Sequence, residues 1–543
     1  MSDAHNMTDY QKTYQEFTYE VPEYFNFAGD VVDKWAEDPD KLAMLWVDDA
    51  GTEVRKTFQD FSKASKRLAN VLTANGVKQG DVVMVVLPRN IEWWEIFTAC
   101  IRMGAVTSPG TVQLTGKDLE FRANKAEATC IITNGDIAAK FDEVADQCPT
   151  VQTKIVITEP RDGWLFYDDE VANASDNFKT AQTRADDSCI VYFTSGTTGY
   201  PKMALHTHAS YPIGHLTTGK FWLDLTPNDL HWNVSDTGWA KAAWSSLFGP
   251  WNCGAALFTH HSDKFDPIKT LDLLAQYPIT TMCGAPTIYR MLVLQDLSGY
   301  SFPHLRHCVG AGEPLNPEII EVWKKATGCT IRDGYGQTET VLLCGSFPCI
   351  EPRFGSMGKP SPGVDLQVVD EEGNALPANT EGDIAVRVKP NRPVGLFKEY
   401  WKEPERTASV FRGDWYLTGD RAYIDDDGYF WFVGRSDDVI LTSGYRIGPF
   451  EVESALIEHP AVAESAVVSS PDPTRGEVVK AFVILAPGFS GNDELVKELQ
   501  DHVKKVTAPY KYPRKIEFVD ALPKTVSGKI RRIELRNAEW GRG

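Results

Sequence analysis

The stretch "YFTSGTTGYPK", residues 192–202, constrains the architecture and chemistry of this chain more than any other segment. It follows a short apolar run and combines glycines and small hydroxyl side chains with a lysine, Lys202. Glycines let backbone N–H groups approach an oxyanion, hydroxyl groups add donors, and the lysine supplies positive charge. The pattern predicts a strand that leads into a phosphate-binding loop. A plain surface turn is the alternative, and the density of donors disfavours it.

Two better-known nucleotide loops do not fit the sequence. The Walker loop requires four residues between its glycines and a Ser or Thr after the lysine. Here Gly196 and Gly199 are separated by Thr197 and Thr198 only, and Met203 follows Lys202. The segment "VGAGEPL", residues 309–315, contains GxG but lacks the third glycine of the dinucleotide-binding pattern. A phosphate loop of another kind is therefore expected.

Around this loop the sequence alternates between helical and strand patterns. Residues 60–76 are amphipathic and end at a glycine, and residues 81–88 form an apolar run. The same alternation continues through residues 92–106 and 128–134, and strands followed by Gly-containing loops occur at 279–286 and 305–315. It predicts parallel sheets flanked by helices.

The pattern changes after Gly355, where short strand patterns joined by turns predict a compact β-rich subdomain. The last hundred residues or so are mixed, with helices expected near 450–458 and 493–505 and strands near 464–469 and 478–485. The expected fold class is α/β. It has a large N-terminal body of mostly parallel sheets, the small β-rich subdomain, and a small mobile α+β C-terminal domain.

The polar segment "VGRSDDVI" separates apolar segments and predicts the boundary between the two domains. We expect a large N-terminal domain over residues 1–434, a hinge over 435–440 and a small C-terminal domain over 441–543. A length of 543 residues is too great for one ordinary domain, which agrees with this division.

Composition excludes several classes of partner. The chain has 55 basic and 75 acidic residues and a net charge of −20, which argues against general binding of nucleic acid or anionic membranes. Its 10 cysteines form no CxxC pair and indicate free thiols. The N-terminus lacks the pattern of a signal peptide, and no apolar run approaches the roughly 20 residues of a membrane span. A soluble, cytoplasmic protein is expected, and a homo-oligomer is compatible with the sequence.

Five motifs together resemble the adenylate-forming superfamily, which includes acyl-CoA synthetases, luciferases and peptide-synthetase adenylation domains. They occur in the family's order: "TSGTTGYPK" (194–202), "DGYGQTE" (333–339), "YLTGD" (416–420), "GRSDDVILTSGYRIGPFEVE" (434–453) and "PKTVSGKI" (523–530). The overall pattern of the sequence is most similar to that of the medium-chain acyl-CoA synthetases.

This resemblance implies an AMP-forming carboxylic acid–CoA ligase. ATP would activate an apolar carboxylate to acyl-AMP with release of pyrophosphate, and the thiol of CoA would then displace AMP. The implied cofactors are ATP, Mg²⁺ and CoA as a co-substrate. A freestanding adenylating enzyme that loads a carrier protein is the alternative. A luciferase-like oxygenase and a non-enzymatic binding module have no support in the residues.

The resemblance also implies roles for the nucleotide-site residues. Tyr335 would offer a flat face to adenine, Glu339 would supply a hard oxygen ligand to Mg²⁺, and Asp420 would accept from both ribose hydroxyls. Arg435 resembles the second ribose contact. The expected ATP- and AMP-binding residues are Thr194, Ser195, Gly196, Thr197, Thr198, Gly199, Lys202, Gly312, Glu313, Pro314, Asp333, Gly334, Tyr335, Gly336, Gln337, Thr338, Asp420, Phe432, Arg435 and Lys529.

Catalysis is assigned by resemblance to Lys529, Thr338 and Lys202. Lys529 would bridge the carboxylate and the α-phosphate, where negative charge develops. Read alone it begins the basic segment "KIRRIELR" and would be a solvated surface charge. Asp437 is the expected hinge, about which the small domain would turn to bring residues 443–446 to the site. The expected CoA-binding residues are Ser443, Gly444, Tyr445, Arg446, Arg475 and Lys504.

The acyl pocket is expected at Trp239, Gly334 and Gly336. Gly336 stands where the acetate-specific branch of the family carries a tryptophan, and a glycine would deepen the pocket. Trp239 and Trp244 lie in "NVSDTGWAKAAW" (233–244), and an aromatic pocket wall suits a flat or branched acid. Ordinary core packing is the alternative for both tryptophans. Asp236 belongs to the "SDTGW" pattern of acyl-CoA relatives rather than to an amino-group site. An apolar short- or medium-chain acid, branched and aromatic ones included, is expected.

Overall fold

Two large sheets form most of the N-terminal part of the molecule. The computed structural model describes residues 5–194, 201–313, 315–436, 438–442, 445–473, 475–524 and 529–542. Within these ranges one sheet has nine strands and the other has eight. The predicted α/β class is confirmed, and the strands predicted at 81–88, 128–134, 279–286 and 305–315 are all present.

The inner strands of the nine-stranded sheet pair in parallel, as the βα alternation predicts. Two pairs at one edge and one pair at the other edge are antiparallel, so the sheet is mixed. In spatial order its strands are Lys359–Pro360, Leu342–Gly345, Ile331–Gly336, His307–Ala311, Thr281–Gly284, Leu230–Val234, Ala256–His261, Leu42–Asp48 and Glu53–Thr57.

The eight-stranded sheet is parallel on one side and antiparallel on the other. The predicted phosphate loop connects two antiparallel strands of this sheet, Ser188–Thr194 and Lys202–Thr207, with Thr194 opposite Lys202. In spatial order the strands are Glu399–Tyr400, Lys202–Thr207, Ser188–Thr194, Val106–Gly110, Val82–Val86, Cys130–Thr133, Thr153–Val156 and Leu165–Phe166.

Helices cover both sheets, and their ends follow local sequence signals. The helix Phe58–Ala74 begins with a capping box between Thr57 and Asp60, and Ile91–Met103 ends at Gly104 in the left-handed region. The α-helices are Tyr10–Glu16, Asp33–Trp35, Phe58–Ala74, Ile91–Met103, Gly116–Ala126, Gly135–Asp142, Tyr167–Asn173, His215–Thr217, Ala240–Ala243, Gly249–Asn252, Pro267–Gln276, Pro286–Val293, Pro317–Thr327, Pro404–Ser409, Pro449–Ile457, Asp493–Val506 and Arg532–Glu539.

Short non-α helical segments lie between these helices. They are the π-helical turns Ala28–Val32, Ala209–Ile213, Thr218–Trp222 and Trp244–Phe248 and the 3₁₀ turns Ala145–Gln147 and Pro509–Lys511. Large side chains fill the space between helices and sheets, and Trp93, Trp94 and Trp251 are fully buried there. In the described residues we find no helix that is both long enough and apolar enough to cross a membrane.

The predicted β-rich subdomain is a five-stranded sheet after Gly355. Antiparallel pairs join Leu366–Val369, Gly382–Arg387, Trp415–Ile424 and Phe411–Arg412, and Phe430–Arg435 also pairs with the long strand Trp415–Ile424. Register places Asp420 directly opposite Arg435. Two residues that lie fifteen positions apart in sequence are thus brought to one site.

The C-terminal part has its own five-stranded sheet and the two long helices expected from sequence. The helices are Pro449–Ile457 and Asp493–Val506, and the strands are Tyr445–Ile447, Ile440–Thr442, Gly476–Leu485, Val462–Asp472 and Lys515–Phe518. Both central strands are longer than predicted. The last strand of the preceding sheet ends at Arg435, within the predicted hinge region; the domain boundaries themselves stay a prediction.

Candidate active site

The residues singled out from sequence converge where loops leave the carboxyl ends of strands in both large sheets. Open α/β sheets bind ligands at such edges. The contributing segments follow His307–Ala311, end or follow Ile331–Gly336, and flank the hairpin of Ser188–Thr194 and Lys202–Thr207. Trp415–Ile424 adds residues from the β-rich subdomain.

Only the ends of the predicted phosphate loop are described. Thr194 closes one strand and Lys202 opens the next, whereas Ser195, Gly196, Thr197, Thr198 and Gly199 lie outside the described residues. The Thr194 hydroxyl group is buried and has no hydrogen-bond partner among the described residues. A buried hydroxyl group without a partner is costly, so this one is available to a ligand.

Lys202, Glu339 and Tyr400 form a compact triangle of polar groups. The Lys202 Nζ lies 2.7 Å from Glu339 Oε1, and the Tyr400 hydroxyl donates to the same oxygen over 2.7 Å. Burial alone would raise the pKa of Glu339, but Lys202 and Tyr400 hold the pKa below its ordinary value. Glu339 is therefore an ionised carboxylate with an exposed fraction of only 6%.

Asp420 lies in a second polar group, on the β-rich side of the site. Its Oδ2 accepts from the Tyr335 hydroxyl over 2.5 Å and from Gln337 Nε2 over 2.8 Å, and its Oδ1 lies 3.4 Å from Arg435 Nε. Burial raises the pKa of Asp420, and Arg435 opposes that shift. Asp420 thus contacts three other predicted nucleotide residues: Tyr335, Gln337 and Arg435.

The backbone carbonyl of Thr338 contacts the ring of His206, a residue that the sequence patterns do not indicate. The His206 Nε2 lies 2.7 Å from the Thr338 carbonyl oxygen, and its Nδ1 lies 3.0 Å from Ser210 Oγ. Burial lowers the pKa of His206 to about 4, so the ring is neutral near pH 7. A neutral imidazole with its Nε2 proton directed at the carbonyl and its Nδ1 accepting from Ser210 satisfies both contacts.

A further cation, Lys241, reaches into the loop that contains Gly312 and Glu313. Its Nζ donates to the Ala311 carbonyl, and burial lowers the pKa of Lys241. Gly312 has a φ of +115°, and a Cβ atom there would lie 3.4 Å from the Lys241 ammonium nitrogen. Glu313 accepts from the Thr287 hydroxyl over 2.7 Å. The third predicted residue of this loop, Pro314, lies outside the described residues.

Asp333 is enclosed beneath the same loop, with an exposed fraction of 7%. It accepts from the backbone N–H of Gly334 over 2.8 Å and of Leu315 over 3.4 Å. Burial raises its pKa to about 7, and Lys241 is among the groups that oppose the shift. Asp333 therefore shapes the loop through backbone contacts as well as through its charge.

Lys529 approaches this site from the C-terminal part of the chain. Its side chain is exposed to solvent, yet desolvation by the surrounding protein lowers its pKa, while Glu313 and Asp420 act to raise it. Glu313, Asp420 and Glu339 all belong to the N-terminal site. An ion pair of 3.6 Å between Arg290 and Glu464 also joins the two parts of the chain.

Both glycines of the predicted acyl pocket are needed for close packing. A Cβ atom on Gly334 would lie 2.4 Å from the ring of Trp222, and one on Gly336 would lie 2.6 Å from the Val341 carbonyl oxygen. Such distances do not occur for real Cβ atoms. The absence of a side chain at Gly336 is thus required by the backbone around it, and pocket depth is not its only explanation. Trp239 is half-buried at the start of the helix Ala240–Ala243.

The other predicted residues are not joined to this site by the contacts described here. Lys504 pairs with Asp501 over 2.8 Å and lies over the ring of Tyr512, and Arg475 is exposed. Phe432 packs edge-on against Phe450, with ring centroids 6.4 Å apart. Asp437, Ser443 and Gly444 lie outside the described residues, as do the side chains of Tyr445 and Arg446. These assignments stay predictions.

Comparison with known proteins assigns a family to this arrangement. Residues 32–401 match the family described as AMP-binding enzyme, and residues 451–529 match the AMP-binding enzyme C-terminal domain. The chain belongs to the AMP-binding enzyme family. The resemblance seen in the five motifs is confirmed.

Curated relatives of this AMP-binding enzyme align with it over nearly its full length. Human "Acyl-coenzyme A synthetase ACSM3, mitochondrial" is 53% identical, with 98% of this chain and 93% of the relative covered. Rat "Acyl-coenzyme A synthetase ACSM4, mitochondrial" is 52% identical, with coverages of 96% and 92%. These names contradict the expectation of a cytoplasmic protein, because they place the relatives in mitochondria.

Solved structures agree with the fold of this AMP-binding enzyme. The anthranilate CoA ligase AuaEII in complex with anthranoyl-AMP has a TM-score of 0.88 and 32% identity, and 96% of this chain and 98% of that chain are covered. An acyl-CoA synthetase from Brucella canis has a TM-score of 0.77 and 34% identity, with coverages of 99% and 100%.

Sequence reasoning on this AMP-binding enzyme missed His206, Lys241 and Tyr400. Lys241 lies inside the quoted segment "NVSDTGWAKAAW" and was the one cation in it, which is a usable signal. His206 lies four residues after Lys202, but nothing in the local pattern indicates a contact with Thr338. Tyr400 lies between the motifs at 333–339 and 416–420 and belongs to neither, so no sequence signal identified it.

Proposed function

We propose that this chain is an AMP-forming acid–CoA ligase, in which one site carries out two half-reactions. ATP and a carboxylate give acyl-AMP and pyrophosphate, and the CoA thiol then displaces AMP. The observation that carries the proposal is the contact set around Asp420, which Arg435 joins from the same sheet and which Tyr335 and Gln337 join from the end of the strand Ile331–Gly336. ATP and CoA as substrates fit both the family and the relatives named above.

The ribose of the nucleotide would be bound by Asp420 and Arg435. A buried carboxylate has two acceptor oxygens and suits a pair of vicinal hydroxyl groups. Binding would exchange the Tyr335 and Gln337 contacts of Asp420 for contacts with the ribose. The ring of Tyr335 would then lie against adenine, beside the backbone of Gly312 and Glu313.

The phosphates would lie between the loop at residues 194–202 and Thr338. Lys202 supplies charge, and the Thr194 and Thr338 hydroxyl groups supply donors for the α-phosphate. The donor set fits Mg²⁺, because Glu339 is ionised and Mg²⁺ is held by one or two carboxylates together with substrate phosphates. When bound, the ion would neutralise charge on the leaving pyrophosphate.

Lys529 would act on the first half-reaction alone. Its ammonium group carries the charge that approaches Asp420 and Glu313 across the two parts of the chain. Placed between the carboxylate and the α-phosphate, it would stabilise the negative charge that develops as they join. The thiol then needs access to the same carbon, so Lys529 would leave when the C-terminal part turns about Asp437.

The second half-reaction would use the segment at residues 443–446 together with cationic side chains of the C-terminal part. Gly444 would allow the pantetheine arm to pass, and Arg446, Arg475 and Lys504 would face phosphates of CoA. Lys504 is paired with Asp501 of its own helix, so binding of a CoA phosphate would exchange that contact for one with the ligand.

The acid is proposed to be an apolar monocarboxylate bound beside Trp239, Gly334 and Gly336. The fully buried ring of Trp222 packs directly on Gly334 and adds a second aromatic surface. Solved structures of similar proteins include an anthranilate CoA ligase and a benzoate CoA ligase, which supports testing aromatic acids as substrates. Lys241 lies two residues after Trp239 and within range of the charge of Asp333, and it can hold the carboxylate end or a polar substituent.

Product analysis tests the function. The chain is incubated with ATP, Mg²⁺, CoA and, in turn, butyrate, 2-methylbutyrate, hexanoate, octanoate and benzoate, and nucleotides and thioesters are separated. We expect AMP, pyrophosphate and acyl-CoA in equal amounts. Stable acyl-AMP without transfer to CoA would instead indicate the carrier-loading enzyme, which the acyl-CoA synthetase relatives disfavour.

A further inference from the structure

Tyr400 connects the two charged groups on the pyrophosphate side of the site. Its hydroxyl group accepts from Lys202 Nζ over 2.5 Å and donates to Glu339 Oε1 over 2.7 Å. The Lys202 ammonium nitrogen also lies 4.2 Å from the centre of the Tyr400 ring. One side chain therefore contacts a cation and an anion at once.

The position of Tyr400 is set by strand pairing and by its ring. Tyr400 pairs with Ala204 on the strand that begins at Lys202, so the same register fixes both side chains. Its ring packs against Phe397 with centroids 4.8 Å apart, and its exposed fraction is 2%. Because strand pairing fixes its backbone and packing fixes its ring, Tyr400 is able to hold the flexible side chain of Lys202 in one place.

The direction of each hydrogen bond follows from chemistry. A lysine ammonium group can only donate and an ionised glutamate can only accept. The phenol is the one member of the triangle that does both, so it keeps its proton toward Glu339 while a lone pair faces Lys202. Burial and the charge of Glu339 raise the pKa of Tyr400, which keeps that proton in place.

We propose that Tyr400 is a positioning residue for the β- and γ-phosphates, whose hydroxyl group holds Lys202 and Glu339 in their working geometry. This inference rests on the proposed function, because it assumes that ATP binds here. Both of these side-chain contacts fall on Oε1 of Glu339, and in the proposed geometry the second carboxylate oxygen would bind the metal. The ribose contacts of Asp420 form a separate group, so AMP does not need Tyr400.

The test compares the affinities of Tyr400→Phe for ATP and for AMP. Titration calorimetry in Mg²⁺ buffer without acid or CoA measures both. Loss of one hydrogen bond to charged groups predicts an ATP affinity about tenfold weaker, with the AMP affinity changed by less than about twofold. Repeating the ATP titration in EDTA shows whether the loss depends on the metal.

The chain contains a matched control elsewhere in the fold. Tyr167 donates to Glu95 Oε2 over 2.6 Å, and Lys56 lies 3.6 Å from Glu95 Oε1, so the same three residue types meet away from the nucleotide. Tyr167→Phe should leave both nucleotide affinities at the wild-type values. Tyr400→Leu separates packing from the hydroxyl group, because it also removes the ring.

Each outcome decides the matter. An unchanged ATP affinity in Tyr400→Phe overturns the inference. Equal weakening of the ATP and AMP affinities also overturns it, whether or not the unfolding temperature falls. A normal Tyr400→Phe beside a defective Tyr400→Leu assigns Tyr400 to packing alone. Failure of the proposed function looks different, since the wild-type chain would then bind neither nucleotide.

Discussion

At the scale of single residues, the charged side chains of the site already have partners of opposite charge or matched polarity. Glu339 has Lys202, and Asp420 has Arg435. Isolated buried charges are costly, so these pairs keep the ligand-free site stable. Substrate binding must exchange these contacts for others, and single substitutions will therefore affect particular steps.

Lys529→Ala should abolish the first half-reaction and spare the second. Its charge approaches Asp420 and Glu313, and loss of one such group should cost roughly 3 kcal/mol, about a hundredfold in rate. Pyrophosphate exchange measures the first step, and CoA ester formation from supplied acyl-AMP measures the second. Lys505→Ala, on an exposed helix position, serves as control. Equal loss in both steps would argue against the assignment.

His206 provides a second prediction at this scale. His206→Phe keeps a ring but leaves the Thr338 carbonyl without its donor, so the rate of adenylation should fall about tenfold. His206→Gln retains an N–H donor and should recover much of the loss. The measurement is the rate of pyrophosphate exchange at saturating ATP and acid. If the Gln variant is as slow as the Phe variant, His206 does not act through that carbonyl.

At the scale of elements, the paired strands Ile331–Gly336 and Leu342–Gly345 decide what position 336 tolerates. A Cβ atom on Gly336 would meet backbone atoms of Val341 rather than open space. The sequence predicts that Gly336 leaves space for the acyl tail. The structure gives a second reason for a glycine there, since Val341 leaves no room for a side chain. The two explanations make different predictions.

Gly336→Ala should lower activity toward acids of every length by a similar factor and also lower the unfolding temperature. The reason is that Val341 must move, and overpacking of this kind costs about 1–3 kcal/mol. Values of kcat/KM for acetate, butyrate, hexanoate and benzoate test this. Gly299→Ala, where a Cβ atom meets nothing within 4 Å, is the control. Selective loss of the longer acids would restore the pocket explanation.

At the scale of the whole molecule, the C-terminal part is held against the N-terminal part by named contacts. Glu464 lies 3.6 Å from Arg290 across the two parts and 2.8 Å from Lys524 within its own part. Lys524 belongs to the motif that carries Lys529. The contact therefore favours the arrangement in which Lys529 reaches the nucleotide site.

Arg290→Ala removes the pair with Glu464 and a pair of 3.9 Å with Glu313, and it should slow adenylation and leave the thioester step unchanged. A partly exposed ion pair contributes up to about 1 kcal/mol, which corresponds to about a fivefold effect. Pyrophosphate exchange and CoA transfer from supplied acyl-AMP are compared in the variant. Arg353→Ala, which removes ion pairs with Asp425 and Asp427 within the N-terminal part, is the matched control. A thioester step slowed as much as adenylation would show that the contact serves both arrangements.

Acid lability is a further property of the whole molecule. Seven histidines of the described chain are buried, and in five of them burial lowers the pKa strongly: His206 and His208 to about 4, His231 and His307 to about 3, and His215 well below its ordinary value. Between about pH 6.5 and 4 the unfolded chain binds protons on these rings and the folded chain does not, so stability rises with pH across that window.

The unfolding temperature should therefore fall steadily as pH drops below about 6.5, before most carboxylates titrate. Thermal unfolding measured from pH 8 to pH 4 tests this. Replacing one buried ring, as in His307→Gln, should flatten the pH dependence, whereas substitution of the exposed His304 should not. A constant unfolding temperature between pH 7 and 5 would contradict the argument.

Sequence patterns alone predict the α/β alternation. The five motifs indicate the reaction class by resemblance and mark Lys202, Glu339, Asp420 and Lys529 as site residues, whose roles stay predictions. Strand and helix periods are local properties, and short motifs record the backbone and side chains that a phosphate requires. The β-rich subdomain was likewise readable from its turns. Such features depend on residues close together in the chain.

The side chains that contact the candidate active site from distant parts of the sequence are visible in the folded structure alone. Tyr400 reaches Lys202 because a two-residue strand pairs at the edge of the eight-stranded sheet, and His206 reaches Thr338 because segments more than a hundred residues apart in sequence meet there. Sheet order and register place these atoms, and no local pattern in the sequence encodes register between strands so far apart in the chain.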